Sequence, residues 1–474
     1  MRNRDGKAIL IVMVALVALI LVAALPWYFI ISRNVLDSDS LGRTTVPGEQ
    51  ERIVEEELPI DSPEFEYEPE EEPVLEPEPE PEILLHIPLD DIVNDIRDIN
   101  PDLFRALNDI ASEFNAVAVS LVAFDGEAGE FFTYEYGRAD AETGRLVDVD
   151  TKFRVASLAK LTTVICAMVL VDQGLIDLDT DISVYLGYEV NNNNYPGSYI
   201  TTRMLMQHTS SIFDSGAFQI SRDRNSSESV RFLLERGSSF RRNQPGSTFE
   251  YTNFGYSVIG AICENVSGMS LNTFAREVLF DPLGIDAAYV PSSMRDTENI
   301  AVIYNDRHVV TRSVSEQLEV GESANLGHDL HLAQTNLTIT AIDYARILAM
   351  LGNGGVFHDI RVLSEEAVRS IHNTNVDGGP FDQGLAVRHS FGDFLPGAGF
   401  YWHTGSAYGL FSQYIHSDMA ILNRGVVVIT TGAEAEREPN GMVSVCTELS
   451  LMVWEHWDTL SPDYEGAEDE NEDT

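Results

Sequence analysis

The chain has 474 residues and a formal net charge of −46, because its 76 aspartates and glutamates far outnumber its 30 lysines and arginines. This excess of negative charge argues against nucleic acid or an anionic membrane surface as a partner, since both attract basic proteins. The length is sufficient for two or three domains, or for one large domain with extensions.

The first predicted element is a membrane anchor. Residues 8–31 contain no charge over 24 residues, and a helix of this length crosses a hydrocarbon core of about 30 Å. Three basic residues precede the run, so we expect residues 1–7 to be cytoplasmic and residues 8–32 to be a transmembrane signal-anchor, with the catalytic part outside the cell membrane. The alternative is a cleaved signal peptide, since Val22-Ala23-Ala24 is a passable cleavage site, but the apolar run is longer than a usual signal-peptide core.

Acidic segments flank the remaining sequence. Residues 33–84 are predicted to form a disordered stalk, because residues 49–82 contain 16 acidic residues and seven prolines and cannot bury enough apolar surface to fold. Residues 461–474 are predicted to be an acidic, disordered tail. One domain, residues 85–460, remains.

The pattern of residues 85–460 predicts an α+β fold. Residues 101–115 have apolar positions at helical spacing, and two strand-like runs follow, "AVAVSLVAF" and "EFFTYEYG". Residues 153 to about 390 are mostly helical in pattern. Strands return after His403 in "LFSQYIHS" and "RGVVVITTG", and a helix, "MVSVCTELSLMVWEHW", comes last. We expect an antiparallel sheet built from both ends of the domain and flanked by the terminal helices, with a mostly helical region inserted and an active site in the cleft between them.

Cysteine and histidine usage indicates neither disulfides nor a metal site. Cys166, Cys263 and Cys446 are scattered through apolar stretches, so we expect three buried core residues. His328 and His331 in "HDLH" come nearest to a pair of metal ligands, but their spacing does not resemble a known metal site.

The lysine at position 160 indicates a catalytic function. Arginine occurs 27 times and lysine only three times, and Lys160 follows Ser157 by three residues in "RVASLAKLTT". A desolvated lysine can lose its proton, whereas arginine cannot. The apolar spacing after Ala156 predicts a helix that begins near Ser157, so the amine can reach the hydroxyl and serve as the base that a serine nucleophile needs. The alternative is a surface helix capped by an ordinary serine.

Two further stretches strengthen this interpretation. "FEYTNFGY" contains Tyr251, a candidate general base, and Asn253, whose amide can accept from the lysine and donate to a substrate carbonyl. "YWHTGSAYGL" contains His403, Thr404 and Gly405, and the glycine leaves room for a substrate backbone beside a strand. In isolation, Tyr251 would be read as a core aromatic and His403 as an edge-strand histidine.

These residues resemble the serine β-lactamase and penicillin-recognising superfamily, in its class C β-lactamase-like branch, which also contains D-alanyl-D-alanine carboxypeptidases, D-aminopeptidases and esterases. The resemblance covers about residues 100–456 and implies a β-lactamase/DD-peptidase-like fold. Other stretches occur in the order expected for that branch: "LMQHTSSI", "QPGSTFEYTNFGYSVIGAICENVSG", "LFDPLGI" and "LAMLGNGG".

The resemblance also implies roles for individual residues. Ser157 would be the acylated nucleophile, Lys160 its proton acceptor, and Tyr251 the group that passes protons to the leaving group and activates the deacylating water. The implied oxyanion hole is the pair of backbone N–H groups of Ser157 and Ser406. The implied substrate-binding residues are Asn253, His403, Thr404, Gly405 and Ser406. No metal and no organic cofactor is implied.

Two positions depart from the family pattern. Ser211 stands where the family often has glycine after "HTS". His403 stands where the β-lactamases of the branch carry lysine, and a histidine is neutral for much of the time near pH 7. The second departure lowers the expectation of efficient β-lactamase activity, because a permanent charge for a substrate carboxylate is missing.

The sequence therefore predicts a membrane-anchored, extracytoplasmic serine hydrolase that acts through an acyl-enzyme on an amide or ester. The expected partner is a small acyl or peptide substrate, such as a D-Ala-type peptide derived from peptidoglycan, and membrane contact is expected through the N-terminal helix only. The alternatives are an esterase or β-lactamase of the same family, a low-turnover peptidoglycan-binding or regulatory homologue, and a purely structural surface protein.

Overall fold

A computed structural model describes residues 92–223, 229–391, 398–417 and 422–460. The predicted anchor, stalk and tail lie outside these ranges. Within them, no helix combines the length and the apolar character needed to cross a bilayer.

The strands alternate with helices along the described chain. They are β1 (Ile92–Asp95), β2 (Ala118–Asp125), β3 (Glu130–Asp140), β4 (Arg145–Leu146), β5 (Phe153–Arg154), β6 (Ile303–Tyr304), β7 (Val310–Arg312), β8 (Thr338–Ile339), β9 (Val356–Phe357), β10 (Ile360–Arg361), β11 (Val376–Asp377), β12 (Asp382–Gln383), β13 (Arg388–Phe391), β14 (Gly399–Ala407), β15 (Leu410–Ser417) and β16 (Arg424–Thr431).

The α-helices fall mainly between β5 and β11. They are α1 (Ile96–Ile99), α2 (Pro101–Glu113), α3 (Ala159–Asp172), α4 (Ser183–Leu186), α5 (Thr202–Met206), α6 (Gly216–Asp223), α7 (Val230–Glu235), α8 (Phe254–Ser267), α9 (Leu271–Ala275), α10 (Val314–Leu318), α11 (Leu332–Thr335), α12 (Ala341–Gly352), α13 (Glu365–Ile371) and α14 (Ser444–Glu455).

Ten strands of the described residues form one sheet. Its order is β1-β3-β2-β16-β15-β14-β13-β12-β11, with β4 paired to β3 outside this path. The strands from the start of the domain therefore lie beside those from its end, since β2 pairs antiparallel with β16 over Ala118–Asp125. This is the predicted arrangement, and the α+β fold class is confirmed.

The sheet is covered on both faces because its side chains alternate along each strand. On one face, Val426 and Val428 pack with residues of the terminal helices α2 and α14, among them Leu107 and Leu449. On the other face, Val427 and Ile429 pack against the inserted helical region. Apolar residues on alternate positions thus form two cores on opposite faces of the sheet.

Three details differ from the prediction. The sheet is not entirely antiparallel, because β1 pairs parallel with β3. β11, β12 and β13 occur where a mostly helical pattern was expected, and two of these strands have only two residues each, too few to show a period. The strand with the His-Thr-Gly sequence begins at Gly399, before His403. Cys166, Cys263 and Cys446 are free and buried, as predicted.

Candidate active site

Ser157 lies in a strained turn at the start of a helix. It is part of a 3₁₀ turn, Ala156–Leu158, that runs directly into α3, so the predicted position near a helix start is confirmed. Ala156 has φ +48°, a left-handed conformation that costs a residue with a side chain about 1–2 kcal/mol. Such strain persists only where the surroundings hold it, and here the Val155 N–H donates to the Leu337 carbonyl at 2.9 Å.

Lys160 is fully buried beside the serine. Its Nζ lies 3.1 Å from Ser157 Oγ, 2.9 Å from Asn253 Oδ1 and 2.8 Å from the Gln334 carbonyl oxygen. Burial lowers the pKa of the amine, against the opposing effect of Tyr251. A neutral amine can donate its two protons to Asn253 and Gln334, which directs its lone pair at the serine hydroxyl.

Tyr251 approaches the same oxygen from another direction. Its hydroxyl donates to Ser157 Oγ at 2.9 Å, and the Lys160 Nζ lies 5.0 Å from the centre of its ring. Burial alone would raise the pKa of the phenol, but the charge and hydrogen bond of Lys160 lower it below its usual value. Ser157, Lys160 and Tyr251 thus form one proton-exchange network.

Asn253 is oriented by a carboxylate. Asp214 Oδ2 accepts from Asn253 Nδ2 at 2.8 Å, which turns Oδ1 of the amide towards Lys160. The other oxygen, Asp214 Oδ1, accepts from Thr252 Oγ1 at 2.9 Å and from the backbone N–H groups of Asn253 and Phe254 at 2.8 Å. Asp214 therefore fixes both the amide and the start of α8.

Strand β14 closes the other side of the site. A Cβ on Gly405 would lie 2.4 Å from the Val155 carbonyl oxygen and 3.1 Å from the Ser157 nitrogen, so only glycine allows this strand to lie against the nucleophile's turn. Thr404 and Ser406 line the cleft beside it. Gly405 is thus the residue of β14 that lies against the turn of Ser157, and Ser406 is the next residue along the strand.

His403 is buried and neutral. Burial, and then the charges of Arg388 and Lys160, lower the pKa of its ring well below the usual value. Its Nδ1 lies 2.9 Å from the Thr404 carbonyl oxygen and donates to it, and Nε2 has no partner among the described residues. The permanent charge that the family's lysine would supply is therefore absent at position 403.

A cation is nevertheless close to this histidine. Arg388 on β13 pairs with Trp402 of β14, and its guanidinium lies 4.5 Å from the ring of Phe381 and 5.7 Å from the ring of Tyr251. It is 7% exposed, and its Nε has no hydrogen-bond partner among the described residues. Burial lowers its pKa to about 10, so it remains charged at neutral pH.

Five of the predicted residues, Ser157, Tyr251, Asn253, Thr404 and Ser406, line one cleft of about 1040 Å³. Charged side chains from several elements complete its walls. The charged side chains that line it are Arg154, Arg312, Glu316, Glu319, Arg388 and Arg437.

The family model described as "Beta-lactamase" matches residues 107–443 of the chain, which include every residue of the site described above. The chain belongs to the beta-lactamase family. The predicted superfamily is thereby confirmed.

Curated relatives match part of the sequence. Penicillin-binding protein 4 of Amycolatopsis lactamdurans is 30% identical over 178 residues, which are 37% of this chain and 45% of the relative. Esterase EstB of Burkholderia gladioli is 30% identical over 207 residues, 40% of this chain and 50% of the esterase. The chain thus spans about half the length of the curated relatives it matches.

A solved member of the family shares the fold over a longer range. The class C beta-lactamase of Rhodobacter sphaeroides superposes with a TM-score of 0.57 at 18% identity, and the alignment covers 74% of this chain and 99% of that one. This likeness confirms the fold.

Ser211, the departure after "HTS", also has a structural explanation within the family pattern. Its φ is +65°, a conformation that glycine adopts without cost. Its Oγ accepts from Asn192 Nδ2 at 3.0 Å. The serine therefore keeps the backbone conformation that suits glycine.

All predicted site residues of this beta-lactamase-family chain lie together, but two important ones were missed. Asp214 follows the quoted "LMQHTSSI" by two residues, and its role depends on contact with a segment about 40 residues later. Arg388 could have been noticed, because "LAVRHS" places an arginine directly after three apolar residues. Neither the spacing nor the composition of this stretch predicts which residues Arg388 contacts.

Proposed function

We propose that this chain is a serine hydrolase that acts through an acyl-enzyme on a donor whose leaving group ends in a carboxylate, such as a peptide with a C-terminal D-alanine. The observation that supports this most directly is Arg388, a buried cation at the edge of the Ser157–Lys160–Tyr251 network. A charge buried in this way is costly unless it meets a counter-charge, and a substrate carboxylate would supply one.

The first step would be acylation. Ser157 Oγ attacks the donor carbonyl and passes its proton to Lys160 Nζ, for which the 3.1 Å separation is suitable. The oxyanion that forms would be stabilised by the backbone N–H groups of Ser157 and Ser406. The tetrahedral intermediate then collapses, and the bond to the leaving group breaks.

Proton return would depend on Tyr251. Its hydroxyl is 2.9 Å from Ser157 Oγ, so it can give a proton to the departing amine and take one back from Lys160. In deacylation Tyr251 would take a proton from the attacking water while it passes its own phenolic proton to the neutral Lys160. When the bond between Ser157 Oγ and the acyl carbon then breaks, Ser157 would take its proton back from Lys160. The expected product is a free carboxylic acid plus an amine or alcohol.

Carboxylate recognition would fall to arginine and not to position 403. Arg388 presents a planar fork that matches a carboxylate in two hydrogen bonds, and it lies on the Tyr251 side of the cleft, where the leaving group must depart. Arg437 donates to Thr404 Oγ1 at 3.1 Å and adds positive charge at the same end. His403 is buried and neutral, so it would not supply a charge for the carboxylate.

The location is part of the proposal. The uncharged run at residues 8–31, preceded by basic residues, supports a single-pass anchor with the hydrolase domain outside the cytoplasmic membrane. Cell-wall peptides are the D-alanine donors in that place. The similarity to a penicillin-binding protein agrees with such a substrate.

Labelling and turnover test the proposal together. A fluorescent penicillin or a fluorophosphonate should label the full-length chain, and Ser157→Ala should abolish that labelling. An N-acyl-D-alanyl-D-alanine peptide should be cleaved at least about tenfold faster than its C-terminal amide, since the amide cannot pair with Arg388.

Arg388→Gln should remove this preference, whereas Arg369→Gln, a change at an exposed arginine on α13, should preserve it. Labelling that survives Ser157→Ala would refute the nucleophile. Equal rates for acid and amide in the parent chain would refute the role of Arg388.

An esterase is the second candidate, favoured by the similarity to Esterase EstB. In that case p-nitrophenyl esters would be hydrolysed, and the D-alanyl peptides would remain intact. A low-turnover binding protein would bind the peptides and hydrolyse neither substrate.

A further inference from the structure

An exposed tyrosine lies under two arginines at the far end of the cleft. Tyr408 is in the turn between β14 and β15, and the residue is 45% exposed. The guanidinium carbon of Arg312 lies 3.8 Å from the centre of this ring, and that of Arg154 lies 5.1 Å from it. We call these three residues the arginine–tyrosine shelf.

The shelf is held rigidly in place. Tyr408 has φ +60°, an unfavourable conformation for an aromatic residue. Thr311 Oγ1 donates to the Tyr408 carbonyl oxygen at 2.6 Å. A Cβ on the next residue, Gly409, would lie 2.2 Å from the Tyr304 carbonyl oxygen. The turn therefore packs tightly against neighbouring backbone, and the strained conformation keeps the ring at the cleft wall.

The shelf and Arg388 lie on opposite sides of the nucleophile along β14. Arg388 pairs with Trp402 and Arg437 contacts Thr404, at one end of this stretch. Gly405 is the point nearest to Ser157. Tyr408 follows at the other end, in the turn after Ala407, and the rise of the strand places Ala407 about 10 Å from Thr404. A donor extended beside β14 would reach Arg388 with its leaving group and the shelf with its acyl part.

The guanidinium of Arg312 has donors to spare. Of its five N–H donors, one donates to the Thr311 carbonyl oxygen at 2.6 Å and another is engaged by the Tyr408 hydroxyl, so donors remain for a ligand. The neighbouring carboxylate of Glu316 is engaged at the start of α10, where it accepts from the Ser313 N–H at 2.7 Å and from Ser313 Oγ at 3.1 Å. No ion pair joins Arg312 to an acidic side chain of the described residues.

The positive charge of the shelf differs from the net negative charge of the domain. Residues 83–460 contain about 26 more acidic than basic side chains, yet two arginines approach one ring here. Arg154 is held there by Thr335, whose carbonyl oxygen accepts from Nε at 2.9 Å and whose Oγ1 accepts from Nη2 at 3.1 Å. Two guanidinium groups on one ring of the cleft wall make the potential at this end of the cleft more positive, which favours an anionic group of a ligand.

We propose that the arginine–tyrosine shelf binds a carboxylate on the acyl part of the donor. This inference rests on the proposed function, which sets the position of the scissile carbonyl, and it narrows the substrate class to dianions. One carboxylate would be on the leaving group at Arg388, and the second would be on the acyl part at Arg312 and Arg154. The ring of Tyr408 would support the hydrocarbon that carries the second charge.

A pair of matched peptides tests the shelf without turnover. The full-length Ser157→Ala chain is titrated calorimetrically with N-glutaryl-D-alanyl-D-alanine and with its glutaramoyl counterpart, in which only the distal carboxylate is replaced by a carboxamide. We expect the glutaryl peptide to bind about tenfold more tightly. Higher salt should narrow this preference because it screens the charges.

Variants show which residues cause the preference for the glutaryl peptide. Adding Arg312→Gln should reduce it to less than about threefold, Arg312→Lys should retain part of it, and Arg154→Gln should also reduce it. Arg307→Gln, a change at an exposed arginine in the loop between β6 and β7, is the control and should leave the tenfold preference intact. Equal affinity for the two peptides, or a preference that survives both Arg312→Gln and Arg154→Gln, would overturn the shelf.

The two proposals fail differently. If the Ser157 parent cleaves both peptides with equal kcat/KM, the hydrolase proposal stands and the shelf is wrong. If Ser157→Ala prefers the glutaryl peptide and this depends on Arg312, but the parent cleaves nothing, the shelf stands and the hydrolase proposal is wrong.

Discussion

Lys152 and Lys160 are both buried, but their neighbours differ in charge. Lys152 Nζ lies 3.3 Å from Asp286 Oδ2 and 3.4 Å from Asp296 Oδ2. Lys160 Nζ lies within 3.1 Å of oxygen atoms of Ser157, Asn253 and Gln334, none of which is a carboxylate. The first is a cation in an ion-pair cluster, and the second is a desolvated amine whose pKa burial lowers. Only the second is suited to accept a proton.

Replacing each of the two lysines by arginine should therefore have different effects on the rate of covalent labelling. Lys160→Arg should reduce the rate of covalent labelling by about 10²–10⁴-fold, because guanidinium cannot act as a base. Lys152→Arg is the matched control, since charge is all that its ion pairs require. Time courses of fluorophosphonate labelling measure both rates. A Lys160→Arg variant that labels as fast as the parent would contradict the assigned role.

Single residues were predictable where chemistry and local spacing coincide. Ser157 and Lys160 are three residues apart, so a short segment contains the whole argument. Asp214 and Arg388 act through contacts with distant segments, Asn253 on α8 and Trp402 on β14. Their importance depends on tertiary pairing, which no local pattern encodes.

The start of helix α8 is the element on which the proton network depends. Asp214 fixes that start, and its negative charge also raises the pKa of Lys160, against the larger lowering effect of burial. Removing the charge without changing the shape of the side chain separates the two functions of Asp214.

Asp214→Asn should lower the pKa of Lys160 further, so that the neutral amine persists to lower pH. The acid limb of the pH profile of kcat/KM should therefore move to lower pH, while the maximum falls about 10-fold or more as Asn253 loses its fixed orientation. Hydrolysis of a D-alanyl peptide across the pH range measures both effects. A purely structural aspartate would lower the maximum and leave the limb in place.

Strand β3 contains a carboxylate, that of Glu135, whose pKa is raised. Burial, and then the nearby charge of Asp95, raise the pKa of Glu135 to about 7, and Glu135 Oε1 has no hydrogen-bond partner among the described residues. An acid with a raised pKa in the folded state binds its proton more tightly there than in the unfolded chain. It therefore costs stability as the pH rises from about 4.5 to 7.

Glu135→Gln should remove this cost. At pH 8 the free energy of unfolding of the variant should exceed that of the parent by about 1–3 kcal/mol, and near pH 4 the two should be alike. Denaturant unfolding at both pH values gives the comparison. Glu127→Gln, in the exposed turn before β3, is the control. An equal difference at the two pH values would show that ionisation of Glu135 is not the cause.

Helices and strands long enough to show a regular spacing of apolar residues were predictable, and very short ones were not. The expected helix at residues 101–115 is observed as Pro101–Glu113, and "LFSQYIHS" is β15 in full. β11 and β12 have two residues each, so they pair only because β13 and β14 provide a template. β1 pairs in parallel through a connection that includes α1 and α2.

The molecule as a whole forms a cleft where the sheet meets the inserted helical region, and one glycine sets its width. A Cβ on Gly405 would lie 2.2 Å from Ser412 Oγ and 2.4 Å from the Val155 carbonyl oxygen. Because the second of these atoms is backbone, the sheet and the turn that contains Ser157 would have to separate.

Gly405→Ala should therefore reduce kcat/KM by about 10²-fold, since a shift of about 1 Å between reacting groups costs that much. It should also lower the free energy of unfolding by about 1–3 kcal/mol. Gly216→Ala, where an added Cβ meets nothing within 4 Å, is the control. Peptide hydrolysis and thermal unfolding of both variants give the result, and unchanged kinetics for Gly405→Ala would show that the contact is not needed.

A segment near the start of the described domain contacts a segment near its end. Asn100 Nδ2 donates to Thr459 Oγ1 at 2.7 Å, although the two residues are far apart in sequence, and α2 packs with α14 in the same core. A peptide bridge that joined these two segments would consequently close the backbone into a ring. Cyclisation of this kind would restrict the unfolded chain and leave the native contacts undistorted.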